Sequence, residues 1–334
     1  MAKLNYLNGY LPSSEWEMEL TRKGFSEALL ELGEENPNVV VLDADLSQST
    51  LTKFFAEKYP ERFFECGIAE ADMMNTAAGL AKMGKIPYLA SYSIFLSGRA
   101  WDQMRNTVDY SFCNVKIAAA HGGISVGKDG PTHQSMEDIA CTQVLVNMAL
   151  FLASDYWEAK KVTKALASID GPCYSRLGRE KVPTLSSADT PWELGKANVV
   201  VDGSDGTIIA NGLMLNRAIL AAEALAEEGV FPRVLSMPTL KPLDTGAVLK
   251  AVGDTGGMVV CEECSIYGGL GSTVARVIGE SDTLVPFKSV AIRDMYLSSG
   301  DPWELMDLAG LGVKDVVAAT KDVLARRKKV HAVG

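Results

Sequence analysis

Polar and apolar positions alternate along this chain in two distinct registers. Short, continuous, β-branched runs predict strands buried on both faces, at Val39–Leu42, Ile86–Tyr92, Val115–Ala120, Cys173–Arg176, Thr207–Ala210, Arg233–Ser236 and Met258–Val260. Between them, apolar residues at helical spacing predict helices over Thr21–Leu32, Ala69–Met83, Gly98–Val108, Lys160–Ser168 and Leu215–Glu228. The Ala- and Met-rich helix at 69–83 reads as buried on most sides. Strand and helix in strict alternation imply an α/β fold of mostly parallel sheets flanked by helices. The periodicity stops between Val182 and Gly195, where Pro183, Ser186, Ser187, Asp189, Thr190 and Pro191 give a linker composition. The pattern therefore predicts two α/β domains, at residues 1–185 and 196–334, joined by a linker at 186–195.

A length of 334 residues agrees with two domains. The formal net charge of −10 argues against nucleic acid or an anionic membrane as partner, while leaving room for a local basic pocket. Residues 1–16 contain no apolar core of signal-peptide length, and no later run reaches membrane-spanning length, so a cytoplasmic location is expected. The six cysteines lie scattered in apolar segments, which suits reduced thiols. Cys261-Glu262-Glu263-Cys264 is a lone C-x-x-C, with no second pair or nearby histidine to complete a zinc site.

Candidate chemistry concentrates in one loop, His121-Gly122-Gly123-Ile124-Ser125-Val126-Gly127-Lys128-Asp129-Gly130-Pro131-Thr132-His133-Gln134. It holds two of the three histidines in the chain; the third, His331, lies in a basic tail. The loop follows the strand at 115–120 and is expected to enter a helix capped near Thr132 or Ser135, with Glu137 and Asp138 in its first turn. Its four glycines allow close backbone approach to a ligand, and the carboxyl ends of parallel strands are where α/β sheets bind ligands. A surface loop whose histidines merely satisfy hydrogen bonds would share this composition. Glu70 opens an apolar helix, where a carboxylate either complements the helix dipole or serves a specific partner. Tyr92 and Phe95 leave the next strand, and Arg22, Arg99 and Arg176 fall near element ends, where a guanidinium can hold a phosphate.

Taken in order, Gly67-Ile68-Ala69-Glu70, Tyr92-x-x-Phe95, Arg99-Ala100-x-Asp102-Gln103, the 121–134 loop, Ser175-Arg176, Lys241-Pro242-Leu243-Asp244 and Gly268-Gly269-Leu270-Gly271-Ser272 closely resemble the C-terminal half of transketolase. The resemblance implies a pyrimidine-binding domain followed by the transketolase C-terminal domain, with thiamine diphosphate and Mg2+ as cofactors. It implies that Glu70 hydrogen-bonds N1′ of the cofactor's aminopyrimidine, that Phe95 stacks on that ring beside Tyr92, and that Asp45 lies near the cofactor. It further implies that His121, Asp129 and His133 surround the substrate carbonyl and hydroxyls. Arg22, Ser49 and Arg176 become the sugar-phosphate clamp. Both histidines are expected to donate to the developing alkoxide and to shuttle protons near neutrality.

Three positions depart from the family pattern. Lys128 stands where an acidic residue is common, Tyr92 replaces a phenylalanine, and Cys264 stands where many relatives have histidine. The Gly-Asp-Gly signature of the magnesium- and diphosphate-binding half is absent; Lys128-Asp129-Gly130 and Ser204-Asp205-Gly206 are near misses. The expectation is one subunit of a split transketolase, two copies of which assemble with two of a separate N-terminal subunit carrying the magnesium ligands. A 2-oxoacid dehydrogenase β subunit has similar length and domain order, but the His121–His133 loop and the phosphate-clamp arginines favour transketolase; a non-catalytic binding or regulatory subunit could keep the fold, against which the intact Glu70, His121, Asp129 and His133 weigh.

Overall fold

The computed structural model describes residues 4–333, with side chains through Arg327; the His331 side chain lies outside this set. The strands are β1 (Asn5–Tyr6), β2 (Met18–Leu20), β3 (Val39–Asp43), β4 (Phe63–Glu65), β5 (Ile86–Tyr92), β6 (Lys116–Ala120), β7 (Ala149–Leu152), β8 (Cys173–Arg176), β9 (Lys181–Pro183), β10 (Asn198–Asp202), β11 (Thr207–Ala210), β12 (Arg233–Ser236), β13 (Thr239–Lys241), β14 (Met258–Ser265) and β15 (Phe287–Ile292). One sheet has the order β13-β7-β8-β6-β5-β3-β4 and is parallel except for β13. The other has the order β1-β10-β12-β11-β14-β15, parallel from β12 to β15, with β10 antiparallel to β12 and β1 antiparallel to β10. β3 and β6 are buried at every position, including Asp43 and Lys116 at their ends. No helix among the described residues is long and apolar enough to cross a membrane.

Two strands pair across the division expected at 185/196. β1, from the start of the chain, pairs with β10 in the second sheet (Asn5 with Asp202, Tyr6 with Val201). β13, from the second half, pairs with β7 and closes the edge of the first sheet. The largest apolar cluster likewise runs through both sheets, joining Leu89, Ile117 and Leu150 to Ile209, Leu235 and Val260. The halves are packed on each other rather than strung on a linker.

Three local expectations also change, and one strand is added. The helix expected at 98–108 begins at Ser93, breaks after Gly98 and resumes at Trp101, with a wider π turn over Met104–Asp109. The helix after the glycine-rich loop runs Asp138–Gln143, beginning beyond Thr132 and Ser135, because the intervening residues are spent on a tight turn at Ile124–Asp129 and on bridging back to the strand end. Helix Glu70–Lys82 buries one face only, since Asp72, Asn75 and Thr76 fall at helical spacing on the other. β7 is a strand for which the sequence reading had no element. The Gly268-Gly269 pair has a clear cause: the buried Glu262 carboxylate accepts from the Leu270 and Gly271 N–H groups at 2.7 and 2.8 Å, capping helix Leu270–Gly279. A Cβ at Gly269 would lie 1.9 Å from Glu262 Oε2.

Helices Thr21–Glu35 and Tyr156–Leu166 cross closely on the outer face of the first sheet, fixed by the ion pairs of Lys160 and Lys164 with Glu31 at 2.8 and 2.9 Å. Their contact point is Gly24, whose absent Cβ would sit 2.2 Å from the Tyr156 carbonyl oxygen. Gly24→Ala should therefore cost about 1–3 kcal/mol through forced separation of two backbones. Gly79→Ala, in a helix with open space at that position, should instead add about 0.5–1 kcal/mol. Denaturant unfolding of both variants measures this; two changes of the same sign would show that the helix contact does not set the cost.

Candidate functional site

β3, β5, β6 and β8 lie side by side, and their carboxyl ends deliver the candidate residues to one edge of the first sheet. His121 follows β6 directly, in the left-handed conformation (φ 57°), which turns the chain back across the strand ends. Gly123 (φ 86°) continues that turn, and the Gly122 and Gly123 N–H groups donate to Leu177 O and Ser135 O at 3.1 and 2.9 Å. The loop closes through Gly130 N–H to Gly127 O and His133 N–H to Gly130 O. His133 thereby returns beside His121.

Aromatic rings fill the space between them. Tyr92 stacks on His121 with centroids 3.9 Å apart and on Phe95 at 5.8 Å, while His133 stands edge-on to Phe95 at 5.3 Å. Thr132 Oγ1 lies 2.9 Å from His133 Nδ1, which leaves Nε2 of that ring for another partner. His121 is 3% exposed, and its Nδ1 has no hydrogen-bond partner. Burial, then the positive charges of Arg22 and Arg179 and the neighbouring His133, hold its pKa down at about 2. This shift favours the neutral imidazole in the unliganded chain.

Glu70 opens helix Glu70–Lys82 and is 1% exposed. Its carboxylate accepts from Ser91 Oγ at 3.3 Å and pairs with Arg99 NH1 at 3.2 Å. The Arg99 guanidinium also lies over the Phe95 ring, 4.4 Å from its centroid, although 55% of that side chain is exposed. Through Arg99 and the aromatic rings, the acid is linked to the two histidines.

The arginines divide differently. Arg22 donates to Gly178 O at 3.1 Å, to Arg179 O at 2.5 Å and to Ser49 O, so it does bring Ser49 to this edge. Asp45 (φ 59°) is exposed at the rim, its N–H donating to Glu65 Oε1 at 2.7 Å. Asp129 meets Arg179 NH2 at 3.4 Å, and Lys128 points to solvent. Arg176 departs from the clamp expectation. It is 6% exposed and already engaged, donating to Glu263 O at 3.0 Å, Cys264 Sγ at 2.9 Å and Ser135 O at 2.8 Å, with Asp138 Oδ2 3.4 Å from Nε. Cys264 thus has a structural partner, and burial pushes its thiol well above the usual range, as it does for Cys261.

Two residues escape the sequence reading. Glu263, from β14, accepts from the Ser125 N–H at 2.5 Å and so grips the loop from the other half of the chain. Arg179 reaches Val126 O at 2.5 Å and Asp129. A signal for Arg179 was present, because Gly178 allows the chain to turn within Arg176-Leu177-Gly178-Arg179; none marked Glu263, which is placed by long-range packing. Among the described residues, no group of three or more His, Cys, Asp or Glu side chains could hold a metal ion.

Residues 18–184 match the model of the transketolase pyrimidine-binding domain, and residues 195–316 that of the transketolase C-terminal domain. The chain is 42% identical over 310 residues to a putative transketolase C-terminal section of Methanocaldococcus jannaschii, covering 92% of this chain and 96% of the relative. It is 37% identical over 291 residues to one of the subunits of the apulose-4-phosphate transketolase of Phocaeicola vulgatus, covering 87% and 93%. A solved split-gene transketolase, described as an inactive β4 tetramer, superposes with a TM-score of 0.84 at 43% identity, over 92% of this chain and 98% of that one. With both domain models matched in order and relatives aligned over nearly their whole length, the chain belongs to the transketolase family and corresponds to its C-terminal section.

Proposed function

We propose that this chain is the pyrimidine-binding subunit of a two-subunit, thiamine-diphosphate-dependent transketolase, which moves a two-carbon ketol unit from a ketose phosphate to an aldose acceptor. The observation that carries this reading is the buried Glu70 carboxylate set beside the Phe95 ring and the His121–His133 pair. These residues fit the pyrimidine end of the cofactor. A desolvated acid faces a ring that can stack, and the orphaned His121 Nδ1 and Ser93 Oγ lie buried nearby in chain and fold. The diphosphate end and its Mg2+ fall to a separate N-terminal subunit carrying the Gly-Asp-Gly signature, two copies of each forming a cytoplasmic heterotetramer.

Thiamine diphosphate, when bound, supplies the electron sink that stores the charge left by carbon–carbon cleavage. Glu70 accepts a hydrogen bond from N1′ of the pyrimidine and stabilises a proton there. Phe95 offers its face to the same ring once the exposed Arg99 guanidinium moves aside, and Tyr92 backs both Phe95 and His121. His121, neutral, donates one N–H to the oxygen on which negative charge develops, without losing strength to a competing protonation. His133, held through Nδ1, presents Nε2 to substrate hydroxyls. Asp129, Ser49 and Arg22 line the approach for the sugar chain, and Asp45 marks the cofactor rim.

The purified chain, given cofactor and magnesium, should transfer no ketol unit until the N-terminal subunit is added; full activity from the chain alone would end the two-subunit reading. Glu70→Gln keeps size and hydrogen bonding but loses the charge that stabilises a proton at N1′. Turnover in the assembled enzyme should fall about a hundredfold or more, and the cofactor's C2 proton should exchange with deuterated water correspondingly more slowly. Exchange at the parental rate with cofactor bound would remove Glu70 from this role.

Neutral burial of His121 also has a stability cost in acid. Its folded pKa lies below the unfolded value, so the unfolded chain gains a proton that the folded chain refuses, and stability falls as pH drops below about 6.5. The slope is at most about 1.4 kcal/mol per pH unit. His121→Gln should lose that share of the acid slope in urea titrations between about pH 7 and about pH 5. Parallel slopes for parent and variant would mean that His121 takes up its proton in the folded state.

A further inference from the structure

We infer that Arg99 is a built-in stand-in for the cofactor's pyrimidine: its guanidinium holds the slot between Glu70 and Phe95, and the cofactor binds by displacing it. The inference rests on the transketolase reading of the site. It concerns entry to the pyrimidine end alone and assigns nothing to the sugar-binding residues.

The buried acid sets the need. Glu70 is 1% exposed at the start of helix Glu70–Lys82, and among the described residues its carboxylate meets only the Ser91 hydroxyl, at 3.3 Å, and Arg99. A carboxylate so far removed from water calls for charge-assisted donors, and one hydroxyl does not supply them. Arg99 NH1 comes to 3.2 Å from Oε2 and does. The chain explains why this arginine is the one that arrives. Arg99 caps the end of helix Ser93–Gly98, and its N–H donates to the Phe95 carbonyl at 2.9 Å. A side chain one helical turn on lies back over the earlier one. The guanidinium carbon accordingly stands 4.4 Å from the Phe95 ring centroid.

A guanidinium so placed makes the contacts that an aminopyrimidine needs. It is flat, lies over an aromatic ring and directs N–H donors at one carboxylate. Tyr92, stacked at 5.8 Å, and His133, edge-on at 5.3 Å, already flank Phe95, which leaves little of that ring for two further flat groups at once. The two members of the pair lose unequally when it breaks. The Arg99 side chain is 55% exposed, so it returns to water readily, and its pair with Glu70 is screened. Glu70 has no such outlet and stays in need of a donor until another arrives. The slot is thus kept formed, with its acid paired, by a group weak enough to be replaced. Exposed side chains change rotamer within nanoseconds, so Arg99 acts by lowering the fraction of open sites rather than as a slow gate.

The test uses the chain assembled with its N-terminal subunit and stripped of cofactor, in the parent, Arg99→Ala and Arg99→Lys. Thiamine diphosphate is added with magnesium and without sugars, and its association and dissociation rates are read by stopped-flow fluorescence. A contact made only before the cofactor arrives affects association alone. Arg99→Ala should bind about three- to thirtyfold tighter, the combined worth of an exposed ion pair and a cation–π contact. The whole gain should appear in the association rate, with dissociation unchanged. Arg99→Lys keeps the charge without the plane and should fall between the two. Affinity that is unchanged or weaker in Arg99→Ala overturns the inference. So does a change carried by the dissociation rate, because Arg99 would then touch the bound cofactor instead of standing in for it. A parent assembly that binds no thiamine diphosphate defeats the functional reading instead, whatever the variants do.

Discussion

The site depends on a buried cation. Arg176 is removed from water at the end of β8, and a guanidinium so placed is tolerated only where opposite charge and acceptors surround it. Asp138 supplies the charge from the start of the next helix and is itself held by the Tyr174 hydroxyl at 2.9 Å. Glu263 and Cys264 supply acceptors from β14, and Ser135 from the returning end of the loop. One side chain therefore joins the first sheet, the histidine loop and the second sheet. Withdrawing either Arg176 or Asp138 would strand the other, a loss of about 3–5 kcal/mol for buried pairs.

That junction explains how a loop with glycines at four positions can hold two histidines in register. Flexible backbone adopts the left-handed turns at 121, 123, 127 and 130, and the grip of Glu263 on the Ser125 N–H then fixes the result. The same enclosure sets the electrostatics. Burial against Tyr92 with two arginines in range disfavours a positive charge on the His121 ring. Glu70, on the neighbouring strand's side, has one arginine within reach, Arg99, which is exposed enough to leave.

Much of this was legible in the residues. β5, β8, β11 and β12 fall where continuous apolar runs placed them, because a strand buried on both faces leaves no ambiguity of register. Glu70, Phe95, His121 and His133 were recognisable through motifs that agree in order and spacing with the transketolase pattern. What sequence pattern could not carry were the decisions made by packing across long separations. The direction of Arg176 depends on Gly122, Gly123 and Glu263, residues far apart in the chain, and the electrostatic state of His121 depends on Arg22 and Arg179 arriving from two other elements. The short strands β1 and β13 carry too few residues for periodicity, and only their pairing partners define them.

Those two short strands bear on how the chain is made. β1 pairs across nearly two hundred residues, Asn5 with Asp202, so it must remain unpaired while the whole first sheet emerges from the ribosome. At ordinary synthesis rates that wait is on the order of ten to forty seconds. The first sheet waits as well, for its edge at β7 stays open until β13 has been translated. A nascent chain with two open sheet edges exposes pairing surface until both short strands have been made.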